Sequence, residues 1–482
     1  MRRLAIFRLC IIFLGFFSLA MLFPLIIAFV FGEYRMAFIF GVTIGVTLAA
    51  AAPVFMLGKK PAFSFNLKEG ILLVCLAWFS ACFLGAVPYY ISGYFPGFSD
   101  ALFECVSGLT TTGITVIPDV EALPYSLHFW RGMTLWLGGM GVVVLSAALV
   151  PLLGVGGFQP RKAEAAGSVK EKFTPRITGA AKILCFIYCA LTALLFLLLF
   201  AGGMGWFDAL FHAFSAMATG GFSTRNSGIA AFNSPYLEWV CVVFMLIAGF
   251  NFTLIYRLAQ GKFRDIINND EAKAYFAIIL VSALVIGVSI LPRAGSLEKA
   301  LRRAFFGAVS VMTTTGLAAE DHNLWPPLAQ AVVFILMFAG GCSGSASGGI
   351  KVIRHVVLFK QAKNEIGRLL HPSGVFSLQL DQEPGEKHLV YNVAAFIFLY
   401  FLLLCLGTLL IGSSTGAGLF DSINVSVAAL GNIGLGLGSL KPGGIFCEAP
   451  GYVKWGFSFL MIAGRLELFT VLLLFMPGFW RK

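Results

Sequence analysis

The sequence predicts an all-α polytopic membrane protein: two leading spans, then four pseudo-repeats of span, short helix, loop and span. Three observations carry this. Of the 482 residues, 59% are apolar by type and only 12% are charged, half of the ~25% usual in water-soluble domains. The apolar residues gather in ten runs long enough to cross ~30 Å of hydrocarbon. One short pattern, with glycine at its end, recurs four times without a gap. So few charges cannot cover the outside of a soluble domain, which excludes soluble enzymes, secreted disulfide scaffolds and DNA-binding proteins.

The first run, 8–31, starts among Arg2, Arg3 and Arg8 and imitates a signal peptide, but it is long and lacks a small-residue cleavage site. It is expected to be a retained span. With 36–57 it forms a leading pair within 1–60. The remaining runs flank four units: 71–92 and 129–153 in residues 61–155, 179–201 and 237–258 in 156–262, 275–292 and 328–350 in 263–370, and 390–412 and 453–477 in 371–482. Of the 34 Lys and Arg, 23 fall in the termini and in 58–70, 154–182, 257–273 and 351–388. Nine fall in the alternate connections, where twelve acids outnumber them. The positive-inside rule therefore puts both termini in the cytoplasm, and topology accounts for the net charge of +11.

The recurring pattern occupies the outer connections. It reads Asp100-ALFECVSGLTT-Thr112-Gly113, Asp208-ALFHAFSAMAT-Gly220-Gly221, Arg303-AFFGAVSVMTT-Thr315-Gly316 and Asp421-SINVSVAALGN-Ile433-Gly434. Each apolar stretch is too short to cross a bilayer, and each following span repeats a small-residue step at Leu137-Gly-Gly139, Ile247-Ala-Gly249, Phe338-Ala-Gly340 and Ile462-Ala-Gly464. Non-helical backbone at membrane depth survives only where protein buries it or water lines it. Four such loops about one axis would ring a hole with carbonyl oxygen, which replaces the hydration shell of an alkali cation. The candidate ion-binding residues are Thr111, Thr112, Gly113, Thr219, Gly220, Gly221, Thr314, Thr315, Gly316, Asn432, Ile433 and Gly434. Asp100, Asp208 and Asp421 suit helix N-caps. Arg303 does not.

A second feature is Gly340, Gly341, Cys342, Ser343, Gly344, Ser345, Ala346, Ser347, Gly348 and Gly349, inside the eighth apolar run. Glycine costs ~1 kcal/mol in a helix interior, so regular helix should fail here. A tight helix crossing would explain a few small residues. Ten in a row favour a mobile plug beneath the ring. Arg465 falls in the middle of the last run, where insertion costs ~2.5–3.5 kcal/mol. Its head is expected at the pore axis, meeting the plug's carbonyls, and Lys351 is expected to mark the cytoplasmic interface.

TTTGIT at 110–115, ATGGFSTRN at 218–226, TTTGL at 313–317 and GNIGLGLG at 431–438 resemble the four filter loops of the Trk/Ktr/HKT superfamily of potassium uptake proteins. GGCSGSASGGIK at 340–351 resembles its intramembrane loop, and AGRLELF at 463–469 its last helix. The two leading spans favour the bacterial Trk-type subunit. The resemblance implies K⁺ uptake across the bacterial cytoplasmic (inner) membrane through one filter-lined pore per chain. It implies a homodimer among membrane lipid, K⁺ as the ion carried with no organic cofactor, and control by a cytoplasmic nucleotide-binding regulatory subunit (TrkA-like). Asn432-Ile433-Gly434 and Gly220 depart from the Thr-rich form, which predicts weaker K⁺/Na⁺ discrimination than a strict fourfold TVGYG ring.

Rival readings have less behind them. A K⁺ symporter coupled to H⁺ or Na⁺ calls for intramembrane carboxylates or inverted repeats, and Glu467 is the one acid well inside a run. A membrane enzyme finds no support in the scattered His128, His212, His322, His355, His371 and His388. The ten cysteines form no Cys-x-x-Cys pair, and whether Cys105 and Cys447 are linked is open.

Overall fold

The computed structural model describes residues 3–56, 66–153, 173–381, 383–384, 387–438 and 444–481. The basic connections at 57–65 and 154–172, and Lys441, lie outside the described residues. Within them the regular elements are helices, apart from a two-residue antiparallel pairing of Gln379–Leu380 with Glu383–Pro384.

Among the described residues six helices are long and apolar enough to cross a membrane: Leu4–Val30, Tyr34–Met56, Lys68–Ser92, Gly179–Ala201, Asp270–Ala294 and His388–Thr415. The first has a one-turn irregularity at Ala20 and Met21. Large side chains such as Phe186 (74% exposed), Val288 (73%) and Phe398 (69%) stand outward on these helices. A surface so apolar belongs in hydrocarbon, and the chain is a multi-pass membrane protein. The leading pair is fixed to the rest by polar and aromatic contacts. The Glu33 carboxylate accepts the N–H groups of Tyr125 (2.7 Å) and Ser126 (3.0 Å), opening helix Tyr125–Leu153. Phe17 packs edge-on against Trp130 at 5.7 Å.

Two runs that the sequence predicts as continuous spans are broken. The sixth bends by 100° between Pro235–Ala248 and Phe252–Ala259, and the tenth by 119° between Gly451–Arg465 and Leu468–Phe475. At the first break the carbonyls of Ala248 and Gly249 turn away from their own helix and accept N–H groups from Ala346 (3.1 Å) and Cys342 (2.9 Å). Asn251 then caps the next helix, its Oδ1 accepting from Thr253 N at 2.8 Å. At the second, Glu467 takes φ +67°, a left-handed conformation that ends the helix. Hydropathy averages over such breaks, so periodicity alone reads them through. Arg465 accordingly ends a helix instead of sitting in the middle of one. The eighth run is helical over Pro327–Leu336 and irregular through 340–349, as its glycines dictate.

Four short helices complete the fold: Phe98–Leu109, Trp206–Met217, Leu297–Met312 and Leu419–Leu430. Three of them have twelve residues, about 18 Å at 1.5 Å per residue, and Leu297–Met312 has sixteen, about 24 Å, all short of a crossing of ~30 Å. Asp100, Asp208 and Asp421 are not their N-caps. Gly97, Gly205 and Gly418 hold that place, and each Asp stands three residues later. Asp100 Oδ2 reaches back to the Gly97 N–H at 2.9 Å. Sequence spacing marks a helix start only to within a turn, and glycine caps nearly as well as Asp because no Cβ hinders the entering chain.

Candidate ion-binding ring and intramembrane loop

Each short helix ends in the same way. Thr111 (φ 52°), Thr219 (53°), Thr314 (55°) and Asn432 (53°) are left-handed, and two residues later so are Gly113, Gly221, Gly316 and Gly434. The N–H groups of Thr112, Gly220, Thr315 and Ile433 return to the carbonyls of Ser107, Ser215, Ser310 and Ala428 at 2.8–2.9 Å. Those of Thr111, Thr219, Thr314 and Asn432 return to Gly108, Ala216, Val311 and Ala429 at 2.8–3.2 Å. This is a Schellman closure with Thr or Asn where glycine is usual. The left-handed backbone costs ~1–2 kcal/mol at each of those residues.

With its N–H groups turned back into the helix, each loop leaves its carbonyls free. Among the described residues, the carbonyl oxygens of Thr111, Thr112, Gly113, Thr219, Gly220, Gly221, Thr314, Thr315, Gly316, Asn432 and Gly434 accept no hydrogen bond, and Ile433 O takes only Leu435 N at 2.9 Å. Interior carbonyls are normally paired. The four loops also close on one another. A Cβ on Gly113 would overlap the Gly220 carbonyl oxygen, one on Gly221 would meet Thr315 O, one on Gly316 would overlap Ile433 O, and one on Gly434 would overlap Thr112 O. The order is cyclic, so Gly113, Gly221, Gly316 and Gly434 encircle a common axis, and no side chain fits between one loop and the next.

A cavity of about 300 Å³ opens on the far side of these glycines from the short helices. All four line it, with Glu320, Asp321 and Arg225 at its wall.

The 340–349 loop packs against the ring from the helix side. Thr219 Oγ1 donates to Ala346 O at 2.9 Å, Gly348 N donates to Thr314 Oγ1 at 2.7 Å, and Gly348 lies against Asn432 with no room for a Cβ. Three of the four left-handed residues thus touch the loop. The Thr111 hydroxyl, by contrast, is buried without a hydrogen-bond partner among the described residues. Asn432 Nδ2 bridges to Thr112 Oγ1 at 2.9 Å instead. Ser345 and Ser347 bond each other at 2.8 Å, Gly340 N donates to Ile350 O at 2.8 Å, and Val352 N donates to Gly341 O at 3.2 Å. Arg465 Nη1 donates to Ala346 O at 2.7 Å, and its Nε and Nη2 are buried without partners. Ser343, Gly344, Ser345, Ser347, Gly348 and Gly349 line a second cavity of about 330 Å³, with Arg465 in its wall. The loop therefore separates the ring from this cavity. Cys342 is buried beside Gly249.

Residues 36–482 match the family model described as TrkH, cation transport protein. The Trk system potassium uptake protein TrkH of Halomonas elongata is 37% identical over 99% of both chains, and that of Escherichia coli K12 is 36% identical over the same share. The crystal structure of the potassium transporter TrkH from Vibrio parahaemolyticus covers 100% of each chain at a TM-score of 0.90 and 32% identity. The chain belongs to the TrkH family of cation transport proteins.

Within this TrkH-family fold three of the four positions that open the repeated pattern hold an ion pair, Asp208 and Arg303 with the segment after their own loops and Asp100 with helix Gly451–Arg465. Asp100 takes Lys454 at 2.5 Å, and Asp208 takes Thr224 Oγ1 at 2.6 Å and Arg225 at 3.2 Å. Arg303 pairs with Glu320 at 2.6 Å, the same link with its charges exchanged. The third short helix begins one turn earlier on its motif, capped by Ser296. Arg303 is thus clear of the positive helix end that an Asp would favour.

The Lys351 ammonium donates to Ser347 O at the end of the loop. Glu467 pairs with Arg354 and not with Arg465. Nor is it the only enclosed acid. Glu104 is fully buried against Arg131 (2.9 Å), Thr115 Oγ1 (3.0 Å) and Val116 N (3.0 Å), bracing the first loop from behind. Glu271, 5% exposed, accepts the N–H groups of Ser343 (2.6 Å) and Ile353 (3.2 Å). Asn251, Glu104, Arg131 and Glu271 are site residues that sequence reasoning missed. Each carries only an isolated polar residue near an apolar run as its signal.

His322, beside the first cavity, packs at a 45° tilt against Trp325 with ring centroids 4.3 Å apart, and burial holds its imidazole down at about 4. Cys105 and Cys447 are separate thiols, with Cys447 Sγ donating to Val116 O at 3.2 Å.

Proposed function

We propose that this protein is the membrane subunit of a Trk-type system for K⁺ uptake, passing ions in single file through the ring. One observation carries the reading: four sets of carbonyls, all but Ile433 O without a hydrogen bond among the described residues, are presented by four matching Schellman closures that contact one another in cyclic order. Such oxygens substitute for water around a dehydrated alkali cation. In this reading the four units 61–155, 156–262, 263–370 and 371–482 each supply one side of the pore behind the leading pair 1–60. The acids at the first cavity face the outside and concentrate cations there.

The 340–349 loop is the gate. It stands between the ring and the second cavity, tied down by Thr219, Thr314 and Arg465. The guanidinium adds a positive charge that a cation must pass. Helix Val352–Leu370 leaves the loop directly, which gives a cytoplasmic nucleotide-binding partner a handle on it. Dimerisation in the membrane and cytoplasmic termini belong to the same reading. The relatives named as Trk system potassium uptake proteins support the choice of K⁺.

Bilayer recording of the purified protein with K⁺ on one side and Na⁺ on the other tests the proposal. A pore gives unitary currents reversing towards the K⁺ potential. Deleting 344–348 should raise open probability at the same reversal potential. Flux that requires a proton or Na⁺ gradient, with no unitary current, would replace the pore with a coupled symporter.

A further inference from the structure

The gate is tied from above by the ring, but its two ends are tied from the side by a single carboxylate. Glu271 Oε1 accepts the N–H of Ser343, at the start of the loop, and that of Ile353, just beyond it. Glu271 belongs to helix Asp270–Ala294, an unbroken crossing that supplies neither ring nor loop. It stands in the first turn, where the helix dipole favours a negative charge and Asn269 caps the chain, with Oδ1 accepting Ala272 N at 2.8 Å. Bonds from a carboxylate to backbone N–H groups are stronger than neutral ones. The loop has little holding power of its own. Its internal backbone bonds are few, and regular helix is excluded by its glycines.

The neighbouring residue faces the other way. Asp270 Oδ2 takes Lys360 Nζ (2.5 Å) and the Asp381 N–H (2.9 Å), while Asp381 Oδ1 takes the Asp270 N–H (2.8 Å). One helical turn therefore grips helix Val352–Leu370 and the 379–384 pairing with one side chain, and both ends of the loop with the next.

We propose that Glu271 is a positioning residue for gating: it sets the resting place of the 340–349 loop without touching the permeating ion, and with Asp270 it carries displacements of the 352–384 segment to that loop. This rests on the reading of the loop as the gate. The carboxylate holds Ser343 and Ile353 at a fixed separation, so the intervening residues bow towards Thr219, Thr314 and Arg465. Releasing either end lets the bow relax.

The test compares full-length wild type, Glu271→Gln and Glu271→Asp in proteoliposomes, with Rb⁺ flux, K⁺/Na⁺ reversal potential and amide exchange of the 341–353 peptide as readouts. Glu271→Gln keeps an acceptor oxygen but loses the charge. It should raise basal flux roughly tenfold and speed exchange at 341–353, with the reversal potential unchanged. Glu271→Asp keeps the charge on a shorter arm and should fall between. Wild-type flux and exchange in Glu271→Gln would overturn the proposal, and so would a shifted reversal potential, which would make Glu271 part of the ring's support. If Glu271→Gln does not fold, Glu271→Asp is read alone: faster exchange with higher flux supports the latch, and wild-type values overturn it. The 344–348 deletion run alongside separates the two readings. A deletion that raises flux while Glu271→Gln does not sinks the latch alone, whereas a deletion without effect sinks the gate.

Discussion

Replacing Arg465 by alanine tests the proposed gating role of the 340–349 loop. In the resting structure Nη1 gives Ala346 O a bond of 2.7 Å, and Nε and Nη2 give nothing. A charge-assisted bond of this kind is worth about 1.5–3 kcal/mol. Any movement of the loop away from the ring breaks it, so its loss shifts the closed–open balance towards open by the same amount. That is roughly ten- to a hundredfold in the equilibrium constant at 1.4 kcal/mol per decade. The two unpartnered nitrogens argue for the lower end, because a charge buried with one acceptor has already lost much of its hydration. Rb⁺ uptake into proteoliposomes, without any partner protein, should therefore rise by about tenfold in Arg465→Ala. In a chain already lacking 344–348 the same substitution should add far less, since the bond is absent there. Unchanged or reduced flux in a correctly folded Arg465→Ala protein would refute the reasoning. An equal gain in both backgrounds would reduce Arg465 to an electrostatic barrier with no hold on the loop.

Other consequences can be measured separately. Gly113→Ala places a methyl on the Gly220 carbonyl oxygen and forces φ +80° on a residue that resists it, so currents should vanish while the protein still inserts; retained wild-type conductance would count against the ring. Glu104→Gln leaves Arg131 buried without its counter-charge, a loss of about 3–5 kcal/mol that should appear as a lower melting temperature in detergent; an unchanged melting point would show that the pair is not needed. His322 is held neutral by burial, its imidazole falling from 6.5 to about 4. The unfolded chain therefore takes up its proton first as pH falls, and stability should decline from pH 6.5 towards 4. His322→Asn should flatten part of that slope, and an identical slope in the variant would exclude the residue as its source.

The four loops could be read from the chain because a ring of main-chain oxygen makes the same local demand four times. Each quarter needs a short helix, a left-handed closure and a glycine where the next loop passes within reach. That demand falls on residues close together in sequence and leaves a gap-free pattern. The lipid-facing spans and the glycine-rich interruption at 340–349 are local in the same sense, being questions of hydropathy and of helix propensity.

The partners could not be read in this way. Glu271 meets Ser343, Glu104 meets Arg131, Lys454 meets Asp100 and Asn251 lies beside Gly344, each across a separation that no local period encodes. The breaks at Gly249 and Glu467 belong to the same class, since a helix gives up its own hydrogen bonds there only because another segment, the 340–349 loop in the first case, is present to replace them. Sequence by itself thus settled that the chain crosses a membrane many times and carries four equivalent loops, because burial and backbone conformation are properties of neighbours along the chain. Tertiary structure alone decided which charges are paired and what holds the loop in place, because a charge or a carbonyl in hydrocarbon is tolerated only by a partner, and the partner's address is set by the packing of distant spans.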